Sequence, residues 1–447
     1  MAQRSLYVFT HLTEGWAPAG RLSLTQERDV VASSFAYGTR YIDRPDAFEI
    51  DPVSLSLVDK TRVRGAELFP VNQLTQFGGI RDAAPDAWGR RVIEAQRRVP
   101  ANSLTEADYL LGAGSDRVGA LDVRESLDSP VHAGAAPIRS LPYMLEAAER
   151  IEQGLPIPAA LADVFGAGPS AGGARPKASV RDESGVLWLA KFAAAGDTLD
   201  MAWAESCTLQ LAGRCGLAVP EVKVVEIGGK SVLLVRRFDR IAATTGANPH
   251  SIEQRLPFVS GLTLVACDEF ESRTKGYGHL AQAIREHVHP SHSRANCEEL
   301  FGRMVFNIFV SNDDDHLRNH GFLRHTAKQG QPPGWSLSPL YDVVPRPSVA
   351  FERQLHLQVG QQGKLATLDN AVSACSAFTP QRTSAVAIIR RIWGELRQWR
   401  SAFEELGAAH PGMGRLLDQL APAMRSLDDI ASPALQAEIR KNRTEEN

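Results

Sequence analysis

An apolar run, Phe306-Asn307-Ile308-Phe309-Val310, leads without a break into Ser311-Asn312-Asp313-Asp314-Asp315-His316-Leu317-Arg318-Asn319-His320-Gly321-Phe322. From Glu298 to Val310 the residues follow a helical period, so a core helix is driven straight into three adjacent carboxylates. Three such neighbours repel one another unless cations lie close by, which points to a metal or phosphate-transfer site. A solvated acidic turn is the competing reading. The spacing favours chemistry: Asp314 and Asn319 stand five positions apart, the interval at which protein kinases supply a proton acceptor and a magnesium-binding amide. An EF-hand does not fit, because neither the glycine nor the terminal glutamate of such a loop occurs at its offset.

Three further signals precede or follow that loop. Gly166-Ala-Gly-Pro-Ser170-Ala-Gly172-Gly173-Ala174-Arg-Pro-Lys177 lies just before a strand, and adjacent glycines let backbone amides approach an anion. It is not a Walker A loop, since neither Ser nor Thr follows Lys177, and a plain flexible loop is the competing reading. Lys191 ends the apolar strand Val186-Leu187-Trp188-Leu189-Ala190-Lys191-Phe192, where kinases carry their phosphate lysine, and Glu205 in the next helix is a candidate ion-pair partner. Leu337-Ser338-Pro339-Leu340-Tyr341-Asp342-Val343-Val344-Pro345 reads as a strand-like run with one carboxylate, suited either to capping a turn or to chelating magnesium. The order of glycine loop, strand lysine, Asp/Asn loop and metal aspartate is that of a two-lobed phosphotransferase.

The rest of the chain frames these motifs. At roughly 150 residues per domain, 447 residues imply two or three lobes. Alternating runs at Leu6–Phe9, Gly20–Leu24 and Ser33–Tyr37 predict a small antiparallel sheet. A helix opening near Asp86-Ala87-Trp88 follows, with Asp86 as its cap and Trp88 as a packing residue. Residues 128–142, rich in Ser, Pro, Ala and Gly, read as a linker. Beyond it come strands around 178–180, 186–192, 222–225 and 231–235 with a helix over 201–213, and then mostly helix from Gly276. The expectation is an α+β, kinase-like fold with a β-rich N-terminal subdomain (1–128), a mixed α/β nucleotide lobe (143–245) and a helical catalytic lobe (246–447).

Lys plus Arg number 49 against 52 Asp plus Glu, a net charge of −3, which offers no basic footprint for unaided DNA binding. Five scattered cysteines form neither a disulfide framework nor a zinc ribbon, and a reducing cytoplasm is expected. The first residues read as a strand rather than an export signal, and no stretch has the roughly 18 apolar residues of a membrane span.

On these motifs the chain resembles the HipA family of serine/threonine kinases, the toxins of bacterial toxin–antitoxin pairs. The resemblance rests on Ser170–Lys177, Leu189–Phe192, Leu233–Arg240, Asn312–Gly321 and Leu337–Asp342, with Ala84–Arg90 similar to the segment closing that family's small β-rich subdomain. It implies ATP and Mg2+ as cofactors, with Asp314 as the catalytic proton acceptor and Asn319 and Asp342 as magnesium ligands. It further implies a nucleotide loop of Gly172, Gly173, Ala174, Arg175, Pro176 and Lys177 and a phosphate-binding lysine at Lys191. Arg236, Arg237 and Phe238 would form the adenine hinge, and His316, Leu317, Arg318 and Tyr341 would lie against the nucleotide. Ser170 matches the serine that these kinases autophosphorylate, which switches them off. The phosphate adds about −1.5 to −2 charges, which a pocket built for ATP phosphates does not accept.

The implied substrate is a protein, with an aminoacyl-tRNA synthetase as candidate, and the implied consequence is growth arrest. The implied partner is a separate HipB-like helix-turn-helix antitoxin, through which DNA contact would be indirect. The sequence departs from the family at Asp313, often uncharged elsewhere, and lacks the Gly-x-Gly-x-x-Gly of general kinases. A non-catalytic co-repressor and a small-molecule kinase are the alternatives.

Overall fold

The computed structural model describes residues 2–27, 30–131, 134–158, 161, 173–241, 253–326 and 333–441. They divide into two compact units, Met1–Gly196 with Val225–Cys267 and Leu323–His325, and Asp197–Val224 with Asp268–Phe322 and Thr326–Asn447.

In the first unit, β1 (Ala2–Leu12), β2 (Gly15–Glu27), β3 (Val30–Tyr37) and β4 (Leu121–Arg124) form an antiparallel sheet in the order β3-β2-β1-β4. The register pairs Leu6 with Leu22 and Leu22 with Phe35, so the alternation read from the sequence puts one apolar row on one face. That row packs with Tyr41, Phe77, Ile80 and Leu110 into a single core. A second sheet runs in the order β5-β6-β7-β9-β8, with β5 (Ala136–Pro137), β6 (Lys177–Arg181), β7 (Leu187–Lys191), β8 (Val222–Ile227) and β9 (Lys230–Arg236). The helix Leu141–Glu152 covers it through Leu141, Met144, Ala148 and Ile151.

The helix Ala87–Arg97 packs into the core of the second sheet through Trp88 and Val92. Asp86 caps it by accepting from the Gly89 amide at 2.7 Å, as its position before the helix requires. Trp88 is wholly buried against the second core, and its indole donates to the Lys177 carbonyl at 2.9 Å. The expected linker is partly sheet: Ala136 and Pro137 pair in parallel with Val180 and Arg181, and the first unit runs through 128–142 without dividing. Ser, Pro and Gly in that segment give the chain its turns, and an edge strand of two residues needs no propensity signal.

The second unit is helical around Pro290–Val310, 21 residues long. Pro290 opens this helix at its first turn, and from Leu300 to Val310 every residue is buried. The helices Tyr277–His287 and Arg382–Leu396 pack on it, and Trp399–Leu406, Met413–Leu420 and Pro433–Arg440 complete the unit. The β-rich beginning and helical end agree with the expected fold class. No helix among the described residues is long and apolar enough to cross a membrane.

Candidate active site

The helix Pro290–Val310 stops because Ser311 adopts a left-handed conformation, φ 52°, and turns the chain back so that Asn312 also donates to the Asn307 carbonyl at 3.0 Å. The acidic triplet begins one residue later, and its members diverge. Asp313 and Asp314 are about half exposed, with side chains 54% and 52% accessible, whereas Asp315 is 1% accessible. The mutual repulsion that suggested a bound cation is relieved by the protein itself. Arg346 reaches Asp314 at 2.6 Å and Asp313 at 3.3 Å. Asp315 accepts from the Tyr277 hydroxyl, from Asn307 Nδ2 at 2.8 Å and pairs with His320 Nε2 at 3.0 Å. Burial alone would raise the Asp315 carboxyl, but His320 and the Tyr277 hydroxyl outweigh it and hold it below the ordinary aspartate value. Burial and that carboxylate push the Tyr277 phenol well above its own.

Beyond Asp315 the chain makes one 3-10 turn, Leu317–Asn319, anchored by the buried Leu317. The His316 amide donates to the Asp314 carbonyl at 2.8 Å and the Asn319 amide to the His316 carbonyl at 2.9 Å. Asn319 is 4% exposed, and its side-chain nitrogen donates to the Asp314 carbonyl at 3.1 Å, while its side-chain oxygen accepts no hydrogen bond among the described residues. The fifth-residue spacing is thus a physical link, in which the amide is oriented by the backbone of the aspartate it follows. The His316 ring meets His356 edge-on at 5.8 Å, and Arg318 pairs with Glu269 while its carbonyl accepts from the Tyr341 hydroxyl at 2.6 Å. That bond brings Tyr341, and with it Asp342, to the loop. The strand expected over 337–345 ends at Leu337. Asp342 is left-handed at φ 60°, a conformation that Asp tolerates better than most residues and that recurs at functional turns.

Asn319 and Asp342 offer hard oxygen atoms of the kind magnesium takes. Among the described residues no three His, Cys, Asp or Glu side chains converge on a metal position. Kinase magnesium asks for less, one carboxylate and one amide, because phosphates and water fill its other positions. The residues present fit that demand.

The expected nucleotide-loop and lysine residues lie in the first unit. Ser170 and Gly172 fall outside the described residues. Gly173, Ala174 and Arg175 are exposed, and Gly173 has φ +96°, open to glycine but strained for other residues. Its carbonyl accepts from the Trp88 amide at 3.4 Å, and Pro176 accepts from Phe192 at 2.9 Å. Lys177 is 3% exposed and its ammonium meets Asp86 at 3.0 Å, so its side chain serves the fold. Lys191 holds the last position of β7, in register with Lys177 on one side and Leu233 on the other.

Arg236 is exposed and Phe238 half-buried, but Arg237 is buried, with its guanidinium committed to Asp239 at 2.6 Å and to the Arg117 carbonyl at 3.3 Å. A side chain so committed has only its backbone to offer a nucleotide. Sequence reasoning gave no role to Tyr277 and Arg346, which stand far from the motif, or to His320, which lies inside the matched stretch Asn312–Gly321. Asn307 carried a signal, since an amide inside Phe306–Val310 is a buried polar group that must find partners.

Comparison with known proteins now decides the family. The HipA-like C-terminal domain family matches residues 169–400, more than half of the chain. The chain belongs to the HipA-like family. It is 25% identical over 381 residues to Y4mE of Sinorhizobium fredii, a protein whose kinase assignment is itself inferred, covering 80% of this chain and 82% of that one. The HipA of Shewanella oneidensis MR-1, solved in complex with HipB and its operator DNA, superposes with a TM-score of 0.65 at 17% identity over 95% of this chain and 96% of that one. The shared fold is therefore HipA-like from end to end, as the resemblance implied, and the context of the family is that of kinases and toxin–antitoxin pairs.

Proposed function

We propose that this HipA-like chain is an ATP-dependent serine/threonine protein kinase in which Asp314 accepts the proton of the substrate hydroxyl. The observation that carries the reading is the Asp314–Asn319 pair: a half-exposed carboxylate next to an amide whose nitrogen is fixed on the Asp314 carbonyl and whose oxygen is left for a cation. ATP with magnesium would supply the γ-phosphoryl group and neutralise the charge that develops on it. Asn319 and Asp342 would hold the metal. Lys191, the backbone of Gly172–Lys177, Arg236, the Arg237 backbone and Phe238 would hold the nucleotide, with His316, Leu317, Arg318 and Tyr341 on the catalytic-loop side. Asp314 would orient the hydroxyl and take its proton as the oxygen–phosphorus bond forms.

In this reading, as the resemblance implies, self-modification at Ser170 would silence the enzyme, a HipB-like antitoxin would be its partner, and DNA would be reached through that partner. The HipB–DNA complex of the Shewanella relative supports that partner. A translation enzyme such as an aminoacyl-tRNA synthetase is the proposed substrate. A cytoplasmic location is proposed on five thiols that form no disulfide.

The test is the intact mass of wild type and Asp314→Ala after incubation with ATP and magnesium, with transfer to mixed cell protein and to a metabolite pool followed in parallel. Transfer to protein should fall about 10²- to 10⁴-fold in the variant, the usual worth of a positioned proton acceptor. Equal transfer by both would remove Asp314 from its role. Transfer to metabolites alone would turn the reading to a small-molecule kinase, and transfer to neither, by protein that starts unphosphorylated, to a co-repressor.

A further inference from the structure

The tetrad beneath the acidic turn uses more polar groups than helix packing needs. Tyr277 comes from the helix Tyr277–His287, Asn307 from Pro290–Val310, and Asp315 and His320 from the loop that follows. All four are at most 1% exposed. Three of them converge on one oxygen, Asp315 Oδ2. Asn307 is also spent at its other end, where its oxygen accepts from Asn312 Nδ2 at 3.1 Å. An apolar residue would fill this space at less desolvation cost, so the carboxylate needs another explanation.

Its placement supplies one. Asp315 follows Asp314 directly and precedes the turn that carries Asn319, while its partners grip helical positions upstream and His320 just downstream. The carboxylate therefore clamps both ends of the segment Asn312–His320, and with Asp315 turned into the core its neighbour Asp314 is left facing solvent. Hydrogen bonds to a carboxylate are roughly twice as strong as neutral ones, which suits a clamp on a loop with only two backbone bonds of its own between Asp314 and Asn319.

We infer that Asp315 is the positioning residue of the site: bound by Tyr277, Asn307 and His320, it fixes the Asp314 carboxylate and the Asn319 amide in the geometry that transfer requires. The inference rests on the reading of Asp314 as proton acceptor for its effect on rate, but its effect on the loop stands apart from that reading.

The experiment compares wild type with Asp315→Ala, Asp315→Asn and Tyr277→Phe in two measurements, kcat and KM for ATP in protein phosphorylation, and hydrogen exchange of peptides across Asn312–His320. Asp315→Ala should lower kcat about a hundredfold, the effect of a displacement near 1 Å at a reacting group, with KM for ATP within about threefold of wild type. Exchange should accelerate at the loop and not along Pro290–Val310. Asp315→Asn keeps an oxygen for the three donors and should recover about tenfold of the loss, since only the charge on those bonds is removed. Tyr277→Phe deletes one donor without changing the core's shape and gives a smaller loss of kcat, readable even if Asp315→Ala does not fold. Unchanged kcat and unchanged loop exchange in the variants would overturn the inference, as would acceleration spread evenly over the helix, which marks a general packing role. If wild type transfers no phosphate, the functional reading fails. Exchange then decides alone: acceleration confined to the loop keeps Asp315 as its clamp, and none removes it.

Discussion

Arg236-Arg237-Phe238-Asp239-Arg240 in the first unit and Asp313-Asp314-Asp315-His316 in the second are both dense runs of charge beside an apolar element, yet the chain uses them differently. In the first run, Arg237, Asp239 and Arg240 are at most 7% exposed and bonded to one another, and Asp239 also accepts from the Gly119 amide at 2.7 Å. Burial would raise the Asp239 carboxyl, but the two guanidiniums hold it well below the ordinary range, while burial brings Arg240 down to about 10. In the second run, two carboxylates stay at the surface and only Asp315 is taken in. Charge density alone does not separate a site from a scaffold. What separates them is whether the charges are spent on each other or left where a ligand can reach them.

The sharpest way to break that contrast is Asp239→Ala. It leaves Arg237 and Arg240 buried without their central counter-charge and should cost about 3–5 kcal/mol. Equilibrium denaturation with a probe in the first unit measures it. A loss below about 1 kcal/mol would show that the buried run is not a scaffold in the sense argued, because surface pairs reach that value.

A smaller effect should come from His11, on β1 in the same unit. Burial, followed by the charges of Arg255 and Arg240, lowers its imidazole from 6.5 to about 4. Between those values the unfolded chain takes up a proton that the folded chain refuses, so acidification favours unfolding. The stability His11 contributes is complete above about 6.5, its unfolded value, and is lost as pH falls through 4. The thermal midpoint of wild type should therefore fall over that window more steeply than that of His11→Asn. Parallel curves would mean that neither burial nor the arginines beside His11 lower its imidazole in the folded protein.

Much of this was legible in the sequence because it depends on period and spacing. The alternation in Leu6–Phe9 and Gly20–Leu24, the helix over 201–213 and the cap at Asp86 all appear where local pattern placed them, since each is decided by neighbours within a few residues. So does the five-residue step from Asp314 to Asn319, which one hydrogen bond now explains. Three things were not legible, all of them long-range. The Lys177 ammonium finds its partner in Asp86, 91 positions away. The Arg237 guanidinium is held by the Arg117 carbonyl, 120 positions away. The two fates of the acidic triplet depend on Tyr277 and Arg346, which no local spacing ties to it.

Arg346 gives the smallest effect and the finest test of the contrast. Its pairs with Asp313 and Asp314 join side chains that are each more than half accessible, and such pairs contribute about 0–1 kcal/mol. Arg346→Ala should leave stability within about 1 kcal/mol of wild type and should make the remaining dependence of stability on salt shallower. It also frees one oxygen of Asp314 from a competing cation, so phosphate transfer should rise, by no more than about fivefold, the factor that corresponds to about 1 kcal/mol. A loss of more than about 1 kcal/mol would place the exposed run with the scaffold after all and break the contrast with Arg237–Asp239–Arg240. A fall in transfer of about tenfold or more would sharpen the contrast in the other direction. Arg346 would then act on the transferred phosphoryl group, and the cation beside the exposed carboxylates would be part of the chemistry, unlike the cations beside Asp239.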